Sequence, residues 1–164
     1  MNRAEMREEL VQLGGGAHAL AIQILGNRAD AEDAVHDAIA TVLGRPDAYD
    51  ARKGPLSAWF LRVVRNRCID LLRKRKPTDT DVDQIVSESS GPEQDAERAD
   101  RDRILEQALA SLEPQQREII VLRDYIDLGY AQIAQILEIA PGTVMSRLHR
   151  SRTALAKAYR KYDD

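Results

Sequence analysis

The chain has 164 residues, of which 43% are hydrophobic and 31% charged, and it contains a single cysteine. That length suits one domain or two small ones. No apolar run approaches the ~18 residues of a membrane span, and the N-terminus MNRAEMREEL has no apolar signal core. One cysteine excludes an internal disulfide framework and fits a reducing cytoplasm. The net charge of −3 conceals blocks: +3 over 1–76, −7 over 77–102 and +1 over 103–164. Two weakly basic modules joined by an acidic segment are therefore expected, and a pI near 5.7 does not argue against nucleic acid, because local patches govern binding.

Residues 4–25 carry a helical period (Leu10, Leu13, Leu20, Ile24) interrupted by Gly14, Gly15 and Gly16. Each glycine costs a helix interior about 1 kcal/mol, which predicts a break or kink there. With no preceding strand and no following Lys-Ser/Thr pair, the run is not a phosphate loop. Gly26-Asn27 ends this unit, Asp30 is a candidate cap, and residues 31–43 read as a second helix with Val35, Ala38, Ile39 and Val42 inward. Asp30, Asp33 and Asp37 share its outer face, flanked by Glu32 and His36. Acid near a helix N-terminus suits the dipole, but Asp37 lies two turns in, beyond that effect. Docking of a basic partner is the other reading. His18, His36 and His149 show no metal-ligand spacing, and no nucleophile–base pair appears. No metal, cofactor or catalytic centre is expected.

Residues 44–54 form a polar loop bearing Tyr49 and Lys53. Gly54-Pro55 then opens a long helix with Phe60, Leu61, Val63, Val64, Cys68, Leu71 and Leu72 on its buried side. Trp59, Arg62, Asn66, Asp70 and Arg73 make the opposite stripe. The only tryptophan thus lies on a polar face beside arginines. An indole stacking on unpaired bases explains it, at about 1–3 kcal/mol per base. Packing of Trp59 beneath the preceding loop or against another helix is the alternative. The basic end Arg73–Lys76 is closed by Pro77, and residues 77–92 read as a flexible acidic connector. It is either a tether or a mimic of nucleic acid within a basic channel.

Residues 93–110 suggest a helix with Ala99, Ile104, Leu105, Ala108 and Leu109 inward. Ser111-Leu112-Glu113-Pro114 marks the next start, with Pro114 at the first helical position. Ile119–Leu122 are apolar, and Asp127-Leu128-Gly129 is a turn. Tyr130–Arg152, YAQIAQILEIAPGTVMSRLHRSR, then reads as a short helix, a tight turn and a basic helix. In the last, Val144, Leu148, Leu155 and Tyr159 share one face, while Thr143, Ser146, Arg147 and Arg150 share the opposite one. From Gly142 to Lys161 there are six basic residues and no acidic one. Such a helix suits a DNA major groove, or is a solvated basic face on a helical hairpin.

Three stretches, in this order, resemble the extracytoplasmic-function (ECF) sigma factors of bacterial RNA polymerase: LGNRADAEDAVHDAI, AWFLRVVRNRCIDLLRKRK and LEPQQREIIVLRDYIDLGYAQIAQILEIAPGTVMSRLHRSR. The resemblance implies an all-α chain: a sigma domain 2-like module over 1–76, a linker over 77–92 and a sigma domain 4-like helix-turn-helix over 93–164. It implies that Asp30, Glu32, Asp33, His36 and Asp37 dock on the β′ clamp helices of core RNA polymerase, with the β flap a further contact. Tyr49, Lys53, Trp59, Arg62, Arg65, Asn66 and Arg73 would capture and melt the −10 element, and flipping a base costs a few kcal/mol of unstacking. Thr143, Ser146, Arg147, His149 and Arg150 would read the −35 element. An anti-sigma factor is implied as a further partner. Met145 stands where the family often has Lys or Arg, and the glycine run and a first helix without aromatics are further departures.

The expected function is promoter selection, with core polymerase supplying the chemistry. A stand-alone helix-turn-helix regulator would leave the Trp59 stripe and the Asp30–Asp37 face without a role. A sigma-like decoy for an anti-sigma factor would need neither Trp59, Arg62 nor Arg147.

Overall fold

The computed structural model describes residues 1–75 and 94–164, and among these every regular element is helical. The expected connector, 77–92, lies outside the described residues. The first module packs α1 (Arg3–Leu25), α2 (Arg28–Gly44) and α3 (Leu56–Lys74) against one another. The second consists of α4 (Gln94–Ala110), α5 (Pro114–Ile120), α6 (Tyr130–Leu137) and α7 (Pro141–Asp163), with α7 against the other three.

The break predicted at Gly14–Gly16 does not occur: α1 is one helix of 23 residues. Asn2 and Glu5 form a reciprocal capping box, with the Glu5 amide donating to Asn2 Oδ1 at 2.9 Å. Met6 and Leu10 before the glycines, and Ala17, Leu20, Ala21 and Ile24 after them, are buried in one apolar core. Tertiary burial on both sides thus outweighs the propensity cost. Gly16 also has a packing role, because a Cβ there would lie 3.2 Å from Ile126 Cγ1. Gly26, in the left-handed region at φ 73°, closes α1 as expected.

The cap of α2 is Asn27, not Asp30. Asn27 Oδ1 accepts the Asp30 amide at 3.0 Å, so α2 starts three residues earlier than the apolar stripe suggests. The Asp30 carboxylate is thereby left to pair with Arg75 at 2.9 Å. Arg75 also donates to the Leu25 carbonyl at 2.7 Å, joining the ends of α1 and α3. On α3, Phe60, Leu61, Val64 and Cys68 are fully buried, while Val63, Leu71 and Leu72 are half-buried against the same core.

In α4, Ile104 and Ala108 face inward as expected, but Ala99 is exposed and Leu105 is 39% exposed, because only one side of α4 meets α7. Pro114 does occupy the first position of α5, behind a Glu113–Gln116 capping box. Helix α5 widens into a π-helical turn, Val121–Tyr125, which periodicity does not announce. Helix α6 ends at Glu138, which adopts the left-handed conformation at φ 57°. The Ile139 amide donates to the Ala134 carbonyl at 3.0 Å, which closes the turn between α6 and α7. Val144 and Leu148 bury the back of α7, and Leu155 and Tyr159 are half-buried.

The modules touch. Helix α1 meets α5 and the π turn, and α3 meets α6, so that buried residues of both modules belong to one hydrophobic cluster.

Candidate nucleic-acid interface

Two short 3-10 turns, Pro46–Ala48 and Ala51–Lys53, shape the loop before α3. Asp50 caps the second: its Oδ1 accepts from the Arg52 amide at 3.0 Å and from Arg52 Nε at 3.1 Å. These Arg52 bonds hold the Asp50 carboxyl below the usual carboxylate range. The loop lays Tyr49 on Trp59, with ring centroids 5.7 Å apart and planes 20° apart. Tyr49 OH donates to the Gly54 carbonyl at 3.2 Å. Trp59 is therefore packed under the preceding loop, and it also lines a cavity of about 190 Å³ shared with Tyr49, Lys53, Gly54, Arg62 and Gln135. Of the two sequence readings of this tryptophan, packing under the loop is the one the structure shows, and the ring remains half-buried.

Not all of the predicted −10 set is free. Arg65 makes two hydrogen bonds to Glu118 of α5, Nε to Oε2 at 2.8 Å and Nη2 to Oε1 at 3.2 Å. This pair is almost enclosed, with side chains 15% and 4% exposed. Arg62 pairs with Glu138 at the end of α6. Gln135 Nε2 donates to the Lys53 carbonyl at 2.9 Å at the rim of the cavity. Lys53, Asn66 and Arg73 are exposed.

Sequence reasoning missed Glu118. A carboxylate set three and four residues before buried Val121 and Leu122 points to the core, where an unpaired charge is prohibitively costly. That pattern requires a cation, although nothing local names Arg65, 53 positions away. Cys68 lies close by: burial first, then the Glu118 charge, pushes its thiol up to about 12. The placement of Cys68 on the buried side of its helix, expected from the sequence, agrees with that shift.

On α2, Glu32, Asp33, His36 and Asp37 are exposed on one side and Asp30 is half-buried. Asp30 pairs with Arg75, and Asp37 with Arg67 at 2.9 Å, both from the same module. The acidic face is thus partly neutralised by α3 and its C-terminal end.

On α7, Ser146, His149 and Arg150 are exposed and Thr143 and Arg147 half-buried. Ser146 Oγ donates to the Thr143 carbonyl at 3.2 Å. Arg152, counted above in the basic run, is instead held by Asp124, with Nε 3.0 Å from Oδ2. No acidic partner of Arg147 or Arg150 occurs among the described residues. The predicted −35 face is thus brought together and open to solvent, whereas two arginines of the predicted −10 face are paired with carboxylates, Arg65 in an enclosed pair and Arg62 in an exposed one.

A larger groove of about 1020 Å³ runs between α1, α4 and the π turn, walled by Ile22, Leu105, Leu109, Val121 and Tyr125 and rimmed by Arg28, Glu32 and Asp102. Among the described residues no helix is long and apolar enough to cross a membrane.

Residues 3–78 match the family model for sigma-70 region 2, and residues 102–155 match that for sigma-70 region 4. The ECF RNA polymerase sigma factor SigW of Bacillus subtilis is 32% identical over 155 residues, covering 87% of this chain and 82% of that protein. SigL of Mycobacterium tuberculosis, another ECF sigma factor, is 36% identical over 139 residues, covering 82% and 77% respectively. The fold is similar to that of the sigma factor RpoE of Bartonella quintana, solved with the anti-sigma factor NepR. The TM-score is 0.76 at 23% identity, over 95% of this chain and 97% of that one. Another similar structure is CnrH, solved with the cytosolic domain of CnrY, with a TM-score of 0.69 at 22% identity over 95% of this chain and 88% of that one. Two region models in sequence order, and relatives that align across both, lead to one conclusion: this chain belongs to the ECF RNA polymerase sigma factors.

Proposed function

We propose that this chain binds core RNA polymerase in the cytoplasm and directs it to promoters through two separate DNA faces. Module 1–76 engages the −10 element, module 93–164 engages the −35 element, and 77–92 connects them. The observation that carries this reading is the Tyr49–Trp59 stack beside Lys53 and Arg62, at the mouth of a small cavity. A stacked aromatic pair edged by cations suits an unpaired base and its phosphates. Arg65, Asn66 and Arg73 continue that face along α3. On α7, Thr143, Ser146, Arg147, His149 and Arg150 read the upstream duplex, the arginines reaching guanine edges or phosphates. The acidic face of α2 (Asp30, Glu32, Asp33, His36, Asp37) docks on the β′ clamp helices, and the second module contacts the β flap. Core polymerase supplies the catalytic centre, and the chain none of its own.

An anti-sigma factor is the natural regulator. Support comes from RpoE, solved with the anti-sigma factor NepR. The apolar groove between α1 and α4 supports it too, being suited to an amphipathic helix.

Run-off transcription with purified core polymerase, on the promoter upstream of the chain's own gene, tests the reading. Specific transcripts from wild type, lost in both Trp59→Ala and Arg147→Ala, are expected. No transcript from wild type and no co-elution with core polymerase would move the weight to a stand-alone regulator.

A further inference from the structure

We propose that Met145 sets base choice in the upstream promoter element by packing against the C5-methyl group of a thymine. The proposal rests on the reading of the upstream duplex by α7, and it adds a residue that neither charge nor hydrogen bonding would single out.

The solvent-facing side of α7 is rotated from the one that charge alone suggests. Thr143 and Arg147 are half-buried, whereas Met145, Ser146, His149 and Arg150 are exposed. At about 100° per residue these four span an arc of about 140°, opposite the buried Val144, Leu148 and Ser151. Met145 is 59% exposed, and of the exposed large apolar side chains among the described residues it is the one that lies in this arc. It is also the fifth residue of α7, and helices that enter the major groove meet base edges with their N-terminal residues.

The surroundings of Met145 leave it apolar work. Arg152, two turns further on at the same edge of the face, is held by Asp124, with Nε 3.0 Å from Oδ2. The hydroxyls of Ser146 and Thr153 donate to carbonyls of their own helix, at 3.2 and 2.9 Å. Arg147 and Arg150 lie towards the other edge. A thioether donates no hydrogen bond and accepts only weakly, so it cannot tell guanine, adenine and cytosine edges apart. The major groove offers it one apolar group, the C5-methyl of thymine. Three rotatable bonds let the side chain follow that methyl across the groove floor. Base choice along α7 is thereby divided: Arg147 and Arg150 serve guanine edges and phosphates, and Met145 serves a thymine.

The test uses holoenzyme assembled from the full chain and core polymerase, on the promoter upstream of the chain's own gene with its −35 region randomised. Sequences retained by wild type should share an A·T pair at one fixed position. Replacing that thymine by deoxyuridine removes the methyl group and no hydrogen-bonding atom. Wild-type affinity should then fall about fourfold, the worth of one buried methyl group. Met145→Ala should bind the two duplexes equally, and Met145→Leu should restore most of the preference. Met145 is exposed, so neither variant should shift the melting curve. The same replacement in the spacer between the two promoter elements should change nothing. Arg147→Ala should weaken both duplexes and keep their ratio. Retained sequences without a fixed A·T pair overturn the proposal, as does a thymine-to-deoxyuridine ratio that is the same for wild type and Met145→Ala at every retained thymine. In either case a loss of affinity in Arg147→Ala leaves the reading of the duplex by α7 standing. If no sequence is retained and Arg147→Ala binds as wild type does, α7 does not read the duplex, and both readings fall.

Discussion

Three adjacent glycines in the middle of α1 are chemically identical but should respond unequally to the same substitution. Gly14 has nothing within 4 Å of an added Cβ, nor does Gly15, whereas at Gly16 that Cβ would lie 3.2 Å from Ile126 Cγ1 and 3.3 Å from Cδ1. All three are interior to a continuous helix. Replacing glycine by alanine there gains about 1 kcal/mol of propensity, part of it through the unfolded chain. For a chain of this size, 1 kcal/mol moves the melting temperature by about 2–4 °C. Gly14→Ala should therefore raise it by that amount, and Gly14→Ala with Gly15→Ala by about twice as much. At Gly16 the gain is opposed by the displacement of Ile126, a half-buried side chain on the segment that follows the π turn. Gly16→Ala should gain clearly less than Gly14→Ala, and Gly16→Val should destabilise. Thermal melts followed by circular dichroism at 222 nm would report each difference. A Gly16→Ala variant as stabilised as Gly14→Ala would refute the packing of the second module on α1. A destabilised Gly14→Ala would refute the continuous helix.

Two further outcomes follow from local structure. Asn27→Ala should cost about 1 kcal/mol in urea unfolding, because Asn27 caps α2, and Asp30 cannot take over while it is bound to Arg75. An unchanged unfolding midpoint would contradict the cap. Cys68, with its thiol pushed up to about 12 by burial, should resist thiol reagents at pH 8 in the native chain and react fully in denaturant. Its pKa is higher folded than unfolded, so the folded chain holds the proton longer. The stability it contributes is constant below the ordinary thiol value of 9.0. Above that it is lost at about 1.4 kcal/mol per pH unit, until the folded value near 12 is reached. A steeper alkaline loss of stability in wild type than in Cys68→Ala is the expected signature.

What the sequence makes legible here is periodic and local. The apolar stripes of α2, α3 and α7, Pro114 opening α5 and Gly26 closing α1 all follow from spacing and cap chemistry. So does the solvent-facing set on α7, because its opposite face must bury Val144 and Leu148. Where local rules compete with long-range packing, the reading fails. The glycine run looks like a break until Met6 and Leu20 are seen to share one core. Asp30 looks like a cap until Arg75 claims its carboxylate. Leu105 looks inward because its helix neighbours do, yet it opens on a groove between the modules. The covering of Arg65 has a sequence trace only at Glu118, an acid on a buried stripe, and its partner is fixed by tertiary structure alone.

Permanganate reactivity of unpaired thymines at a promoter, with core polymerase added, distinguishes the face proposed to read the melted strand from the face proposed to read the upstream duplex. Wild type should give reactivity confined to the −10 region. Trp59→Ala should keep promoter binding but lose that reactivity, and Arg147→Ala should lose binding at the −35 element. Reactive thymines undiminished in Trp59→Ala, or promoter occupancy undiminished in Arg147→Ala, would contradict the division of labour between α3 and α7.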